Sequence, residues 1–488
     1  MAVLSGLKPE KVFEYFEALC SVPHGSGNTK QISDLCASFA KKMGLKYVRD
    51  ELNNLVIYKP GSAGLENAEP IILQGHMDMV CAKTEDCSKD MAKEGLDLYI
   101  EGDYIRAMDT SLGGDDGIAV AMILAILEDN SLRHPPIEAV FTVDEEVGMD
   151  GAAGLDMSLL KGRRMLNLDS EAEGVFTVSC AGGLRTDCVV EASETEQVTD
   201  GFIMCRINIE GLMGGHSGVE IDKGRGNAIK LMARFLYKAY KEFDSLRLIS
   251  IEGGKFDNVI CNNCISRIIL TTEDGVRFDG IIRKSAEEYK DEFAVSDPEI
   301  DLYYVFQDSK LDQGRTVFNR NDTLRFIRAL FLVPQGIAAM SNDIKGLVQT
   351  SSNIGIVKTT DRGIRFSLSV RSSLESQKSA LKDRIEAAVE GQGGTVSVRG
   401  DYPGWAYRKD SPVRDTLSRV YEKQTGKKPV ITAIHAGLEC GLFSKALEGF
   451  DCVSIGPELI DIHSVGEKLG ISSVHRLYDL LVEFLSEC

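Results

Sequence analysis

Ile71-Ile72-Leu73-Gln74-Gly75-His76-Met77-Asp78 decides how this chain folds. Ile71–Gln74 reads as a buried strand, and it runs straight into a glycine, a histidine and an aspartate. Working outward, short apolar runs alternate with helical stretches. Upstream, Pro9 suits a first helical position, and Val12, Phe13, Phe16, Leu19 and Cys20 form one apolar face. A second helix is expected from Asn28 as N-cap to Gly44, burying Ile32, Leu35, Cys36, Phe39 and Met43. Downstream, Ile118–Asp129 reads as a buried helix, and Glu138–Val143 and Met165–Leu168 as strands. This alternation predicts an α/β layer fold with a mostly parallel sheet.

After about residue 188 the texture changes. Strand-like runs at 202–210, 247–251, 259–272, 299–306, 353–358 and 364–371 interleave with helical stretches near 225–243, 278–292, 322–332 and 375–390. Strand–helix–strand–strand–helix–strand is the ferredoxin-like arrangement. The block is long enough to hold it about twice, although no internal sequence repeat stands out. From about 398 the chain reverts to α/β character, with a strand at 452–456 and an amphipathic helix at 472–486. The expectation is a discontinuous first domain (1–187 and 398–488) interrupted by an enlarged ferredoxin-like α+β domain (188–397).

Composition narrows the function. The 488 residues carry 55 Lys plus Arg against 74 Asp plus Glu, a net charge of −19. Such a surface repels phosphate backbones and anionic lipid heads, so neither nucleic acid nor membrane is expected as a partner. The longest apolar run, Ile118–Leu127, is far below the ~20 residues of a membrane span. Twelve unpatterned cysteines and a start without a basic-then-apolar leader suggest a reducing, cytoplasmic setting.

The chemistry gathers at strand ends, where ligands of open α/β sheets bind. Ile71–Gln74 leads to His76 and Asp78, Glu138–Val143 to Asp144-Glu145-Glu146, and Met165–Leu168 to Asp169. Asp115 and Asp116 open the buried helix, and the C-terminal strand leads to Asp461 and His463. Singly, each motif has an ordinary reading: a capping pair, a solvated turn or a helix N-cap. Together, two histidines and several carboxylates cannot stay buried unless something positive compensates them. A divalent metal pair does so. Nitrogen and carboxylate ligands without thiolate suit catalytic zinc, with manganese or cobalt as alternatives. Such a pair polarises a carbonyl and lowers the pKa of a water, and a neighbouring free carboxylate can take that water's proton. Amide or ester hydrolysis fits.

Gly75-His76-Met77-Asp78-Met79-Val80, Leu112-Gly113-Gly114-Asp115-Asp116-Gly117, Asp144-Glu145-Glu146-Val147-Gly148, Asn167-Leu168-Asp169-Ser170-Glu171, Gly214-Gly215-His216-Ser217-Gly218 and Ile462-His463-Ser464 occur in this order. The set resembles the co-catalytic zinc peptidases related to carnosinase and carboxypeptidase G. Ile434-His435-Ala436-Gly437-Leu438-Glu439-Cys440-Gly441 and the long insertion are similar to its aminoacyl-histidine dipeptidase branch. The resemblance implies that His76 and Asp169 bind one metal, Glu146 and His463 the other, and that Asp115 bridges. Asp78 would hydrogen-bond the far nitrogen of His76, and Glu145 would be general base and then proton donor to the leaving amine. In similar enzymes the counterpart of His216 stabilises the oxyanion once the domains close. Arg371 would hold the substrate carboxylate, Asn353 would contact substrate, and the Gly437 loop would line its pocket. The inserted domain would also provide a homodimer contact.

The sequence also departs from the pattern in places and carries rival motifs. Val465-Gly466 follows His463-Ser464 where relatives often carry proline and an acidic residue. The neighbouring Asp115 and Asp116 leave the bridge open by one residue, with Asp115 preferred by its offset from the helix. His24, His134 and His475 read as structural or surface groups. Gly215-His216-Ser217-Gly218-Val219 fails as a nucleophile elbow because Val219 replaces the final glycine. Cys261 and Cys264 read as core thiols. The leading expectation is dimetal hydrolysis of unsubstituted dipeptides, including Xaa-His. The alternatives are an N-acyl-amino-acid amidohydrolase and a catalytically silent relative.

Overall fold

The computed structural model describes residues 2–198, 201–307 and 316–488. By compactness the chain divides into two units, described separately here. The first comprises Met1–Cys180, Trp405–Ala433 and Leu438–Cys488; the second comprises Ala181–Gly404 and Ile434–Gly437. The expected boundaries at 187 and 398 fall inside the strands Gly182–Glu191 and Thr395–Tyr402, which both belong to the second unit's sheet.

In the first unit an eight-stranded sheet runs in the order Lys46–Arg49, Leu55–Lys59, Ile137–Thr142, Ile71–His76, Arg164–Asn167, Asp451–Ser454, Val175–Cys180, Val430–Ile434. Its centre is parallel: Ile71–His76 lies between Ile137–Thr142 and Arg164–Asn167, and the latter pairs with Asp451–Ser454. Antiparallel Lys46–Arg49 and Leu55–Lys59 extend one side. All six residues of Ile71–His76 are buried, as expected of a central parallel strand.

The helix Gly114–Glu128 is apolar all round because it is sandwiched between the strand Ile71–His76 and the helix Glu10–Cys20. Gly75 makes the close approach to the strand possible. A Cβ on Gly75 would lie 2.6 Å from Asp116 Oδ2 and 2.9 Å from Ala119 Cβ, and one on Gly117 would touch the Phe16 ring. The second helix, Lys30–Lys42, takes Thr29 as its N-cap, one residue later than expected, and buries Ile32, Ser33, Cys36, Ala37 and Ala40. Small side chains take the inner face, and half-buried Phe39 stacks edge-on against Tyr15 instead.

The second unit is one nine-stranded sheet carrying the ferredoxin-like unit twice. The first copy runs Phe202–Glu210, Ala228–Glu242, Arg247–Gly253, Cys264–Thr271, Thr272–Glu292, Asp301–Gln307, and its strands lie in the order fourth, first, third, second. The second copy uses Gly182–Glu191, Arg320–Leu332, Val348–Thr360, Gly363–Ser372, Glu375–Glu390 and Thr395–Tyr402, with the same order reversed. The copies meet through their second strands, Glu252 opposite Lys358 and Gly253 opposite Val357. One copy is therefore inserted between the first strand and first helix of the other. Residues from all four helices share one core with the sheet.

Two strand expectations change. The run 259–272 divides into Val259–Ile260 and Cys264–Thr271, because Val259–Ile260 pairs with Gly215–His216 instead of joining the large sheet. The strand Gly182–Glu191 escapes the sequence reading behind its two leading glycines. Both are required sterically: a Cβ on Gly182 would lie 2.3 Å from the Gly404 nitrogen, and one on Gly183 2.6 Å from the Tyr402 hydroxyl. Among the described residues, no helix is long and apolar enough to cross a membrane.

Candidate active site and metal centre

The site of the first unit begins with His76, the buried last residue of the central strand. Its Nε2 lies 3.1 Å from Asp115 Oδ1 and 3.5 Å from Asp169 Oδ1. Its Nδ1 lies 3.0 Å from the carbonyl oxygen of Asp78 and 3.6 Å from the Asp78 carboxylate. The nearer orienting contact is thus the Asp78 backbone. The Asp78 carboxylate instead accepts from Ser26 Oγ at 2.8 Å and from the Glu145 N–H at 3.2 Å, tying two loops to the strand end.

Asp115 faces both histidines. Its Oδ1 meets His76, and its Oδ2 lies 3.2 Å from His463 Nε2. Asp116 points differently: it is buried, and its Oδ2 accepts the His76 backbone N–H at 3.2 Å. Glu146 Oε1 approaches His463 Nε2 to 2.8 Å, and the Glu146 side chain is buried. Imidazole nitrogens and carboxylate oxygens that converge in this way are the donors bound cations would draw on. The ligand-type atoms of His76, Asp115 and Glu146 lie within 4.8 Å of one another, as do those of His76, Asp116 and Asp169. The donor set is imidazole and carboxylate without thiolate, which fits two divalent ions.

Backbone geometry concentrates here as well. Asp144, Asp461 and His463 adopt left-handed φ values of 56°, 55° and 58° without being glycines. Such conformations persist where the surrounding structure over-determines them. Asp144 is held by its Oδ1 accepting from the Gly27 N–H at 2.6 Å.

The electrostatics express crowding of negative charge. Burial pushes Glu145 well above the usual carboxylate range, with Asp169, Glu439 and Glu146 adding to it against the pull of His76. Burial likewise lifts Asp169 to about 7. At His76 burial opposes the charged form, but Asp169, Asp115 and Asp78 outweigh it and raise the pKa. Hydrogen bonds to Asp115 and Glu146 lift His463 to about 10. Left to themselves these side chains compensate by sharing protons, a role that bound cations would take over.

Sequence reasoning missed two carboxylates. Glu439 is fully buried; its Oε2 accepts from Gln74 Nε2 at 2.5 Å and Thr142 Oγ1 at 2.6 Å, while its Oε1 has no partner. Burial raises it to about 8. Glu467, also buried, accepts four backbone N–H groups from Leu112 to Asp115. Its place four residues after His463 is the signal that could have drawn attention to it.

The second unit holds His216, Arg371, Asn353 and Gly437. His216 Nδ1 accepts the N–H groups of Gly218 and Val219 at 3.3 and 3.2 Å, which leaves Nε2 as the protonated nitrogen. Burial, followed by Arg371, lowers the His216 pKa, so the imidazole is neutral. Arg371 is buried on Gly363–Ser372; its Nη1 donates to the Tyr402 hydroxyl at 3.3 Å, and its Nε has no partner. His435, which sequence reasoning quoted without assigning, sits 2.7 Å from Ser351 Oγ. Burial, then Arg371 and His216, push it down to about 3.

Asn353 uses its whole amide internally. Its oxygen accepts from Asn227 and Gln335 at 3.2 Å each, and its nitrogen donates to the carbonyls of Val259 at 2.9 Å and Asp257 at 3.3 Å. Val259 pairs with His216, so Asn353 braces the strand beneath that histidine. Gly437 lies half-buried in the turn after His435. Among the other weighed residues, Cys261 and Cys264 are buried thiols, His24 and His134 are buried, and Ser217 is buried with an unpartnered hydroxyl.

A sheet whose parallel strands end in this imidazole–carboxylate set defines a class. The chain belongs to peptidase family M20/M25/M40, whose family model matches residues 72–487. Among individual proteins, it is 37% identical to the cytosol non-specific dipeptidase of Escherichia coli, covering 100% of this chain and 99% of that one. The crystal structure of aminoacylhistidine dipeptidase from Vibrio alginolyticus superposes with a TM-score of 0.94 at 35% identity, covering 99% of this chain and 98% of that one. Aminopeptidase PepT from Bacillus cereus shares the fold at a TM-score of 0.55 and 16% identity, each chain covered to 99%.

Proposed function

We propose that this protein is a cytosolic dimetal dipeptidase that hydrolyses the peptide bond of unsubstituted dipeptides, Xaa-His among them. The observation that carries the reading is the Asp115 carboxylate, with one oxygen toward His76 and the other toward His463. The full-length similarity to a non-specific dipeptidase and to an aminoacylhistidine dipeptidase supports the substrate class.

His76 and Asp169 would hold one ion, Glu146 and His463 the other, with Asp115 serving both; zinc would suit the set first, with manganese or cobalt as substitutes. When bound, the two cations polarise the scissile carbonyl and lower the pKa of a water so that it attacks at neutral pH. Glu145, adjacent to a ligand and raised in pKa by burial, takes the proton of that water and delivers it to the leaving amine. Asp78 fixes the Glu145 backbone. His216 donates its Nε2–H to the oxyanion, and Arg371 pairs with the substrate carboxylate. Asn353 braces the His216 strand, and the Gly437 turn lines the substrate. On this reading 1–187 with 398–488 is catalytic. The 188–397 block is a lid and the contact of a homodimer, for which light scattering should return twice the chain mass; a monomer mass would remove the dimer.

The test is release of free amino acid by zinc-, manganese- and cobalt-reconstituted protein against a chelated control. Gly-His, β-Ala-His, Ala-Leu and N-acetyl-Leu are the substrates. Metal-dependent cleavage of the free dipeptides is expected. Cleavage of N-acetyl-Leu alone would move the function to an amidohydrolase, and no turnover with any metal would overturn the assignment.

A further inference from the structure

Leu112 and Gly113 lead into the first residues of the helix Gly114–Glu128, so the amides of Leu112–Asp115 have no preceding turn to bond into. All four consecutive N–H groups go to one side chain. Glu467 Oε2 accepts from Leu112 at 2.7 Å and Gly113 at 3.1 Å; Oε1 accepts from Gly114 at 2.8 Å and Asp115 at 3.3 Å. Glu467 is 3% exposed, and the four amides supply its charge compensation. Its own backbone N–H donates to the Ser464 carbonyl at 3.2 Å, inside the loop that carries His463. Gly114 lets Leu459 and Glu467 pack close, since a Cβ there would lie 2.7 Å from Leu459 Cδ2 and 3.3 Å from Glu467 Oε1.

One carboxylate thus fastens the loop bearing Asp115 to the loop bearing His463. We propose that Glu467 is a positioning residue that sets the separation of Asp115 and His463, and so the affinity of the metal position those two share with Glu146. The proposal rests on the ligand assignment given above. The asymmetry is its specific content. His76 ends a central strand, and Asp169 lies two residues past another, between Leu168 and Ser170, whose N–H groups still bond to Gln74 and Ile455. Asp115 sits in the non-helical first turn of its helix and His463 on a loop, and Glu467 joins those two.

A matched comparison exists in the same unit. Glu138 is also buried (4% exposed) and also accepts loop amides, those of Lys161 and Gly162 at 3.0 Å, but it touches no loop that carries a ligand. Glu467→Gln and Glu138→Gln therefore impose the same chemical insult, an NH₂ facing N–H donors, at two places.

The experiment is calorimetric titration of zinc into the metal-stripped wild type and both variants, with thermal melting of each stripped protein. The wild type should take up two equivalents. Glu467→Gln should weaken the first equivalent slightly, since Asp115 serves both positions, and the second, which also uses His463, about 10- to 100-fold, the usual loss when a ligand's support is removed. Glu138→Gln should bind both as wild type while melting lower. Two wild-type equivalents in Glu467→Gln, or equal weakening of both, would overturn the proposal. Should Glu467→Gln fail to fold, Glu467→Asp, which keeps the charge but shortens the reach, is titrated instead; an unchanged second equivalent there is equally fatal. A wild type that binds fewer than two equivalents overturns the ligand assignment itself, and the proposal with it.

Discussion

At the ends of the first unit's parallel strands, Asp115, Asp116, Glu145, Glu146, Asp169 and Glu439 crowd around His76 and His463. Around Arg371 in the second unit, His216 and His435 crowd a guanidinium. The perturbations are opposite in sign. In the first cluster burial drives up Asp116, Glu145, Asp169 and Glu439, Asp115 is held down against burial by its hydrogen bonds to His463 and His76, and the histidines rise with their carboxylate neighbours. In the second, both imidazoles are driven down by burial and by Arg371. One cluster is short of positive charge and the other short of negative charge. A pair of cations and an anionic end of a small substrate are the ligands these deficits call for, which is why peptide hydrolysis with recognition of a free carboxylate fits both.

The largest expected effect separates chemistry from metal holding within the first cluster. Glu145→Gln removes the proton acceptor but no ligand, so kcat should fall by about 10²- to 10⁴-fold while metal content by mass spectrometry stays at the wild-type value. Parallel loss of metal would make Glu145 a ligand and break the division of labour between it and Glu146. A smaller effect is expected in the second cluster. His216→Ala removes one neutral donor from the oxyanion and should lower kcat by about 10²- to 10³-fold with little change in KM. A change confined to KM would mean that His216 binds the ground state instead.

How much of this was legible depends on where the information resides. The strand Ile71–His76 and the helix Gly114–Glu128 announce themselves because burial on every side demands continuous apolar runs. Of the metal-type residues, His76, Glu146 and Asp169 are legible because they closely follow such strands, and Asp115 because it opens that helix. Gly182–Glu191 is hidden because its glycines answer to neighbours far away in sequence, Tyr402 and Gly404. Asn353 looked like a substrate contact, but its amide is consumed by Asn227, Gln335, Val259 and Asp257, partners no local pattern reveals. Glu467 and Glu439 were missed for the same reason: their roles consist of long-range acceptor geometry.

The smallest effect sharpens the account of the first cluster as over-supplied with carboxylates. Glu439 has a folded pKa near 8 against an ordinary 4.5, chiefly through burial, with Asp169 and Asp78 opposing its ionisation and His76 and Thr142 favouring it. Between those two values the folded chain holds a proton that the unfolded chain has released. The unfolded state binds fewer protons there, so the stability contribution falls as pH rises through the window and levels off above it. Glu439→Gln keeps an acceptor for Thr142 but cannot ionise. In the metal-stripped protein the variant should therefore lose less of its Tm between pH 5 and pH 8 than the wild type does, by a few degrees. Identical pH profiles for the two would mean that Glu439 is ionised throughout, and that the buried network of Gln74, Thr142 and Glu439 already supplies the compensation assigned here to bound cations.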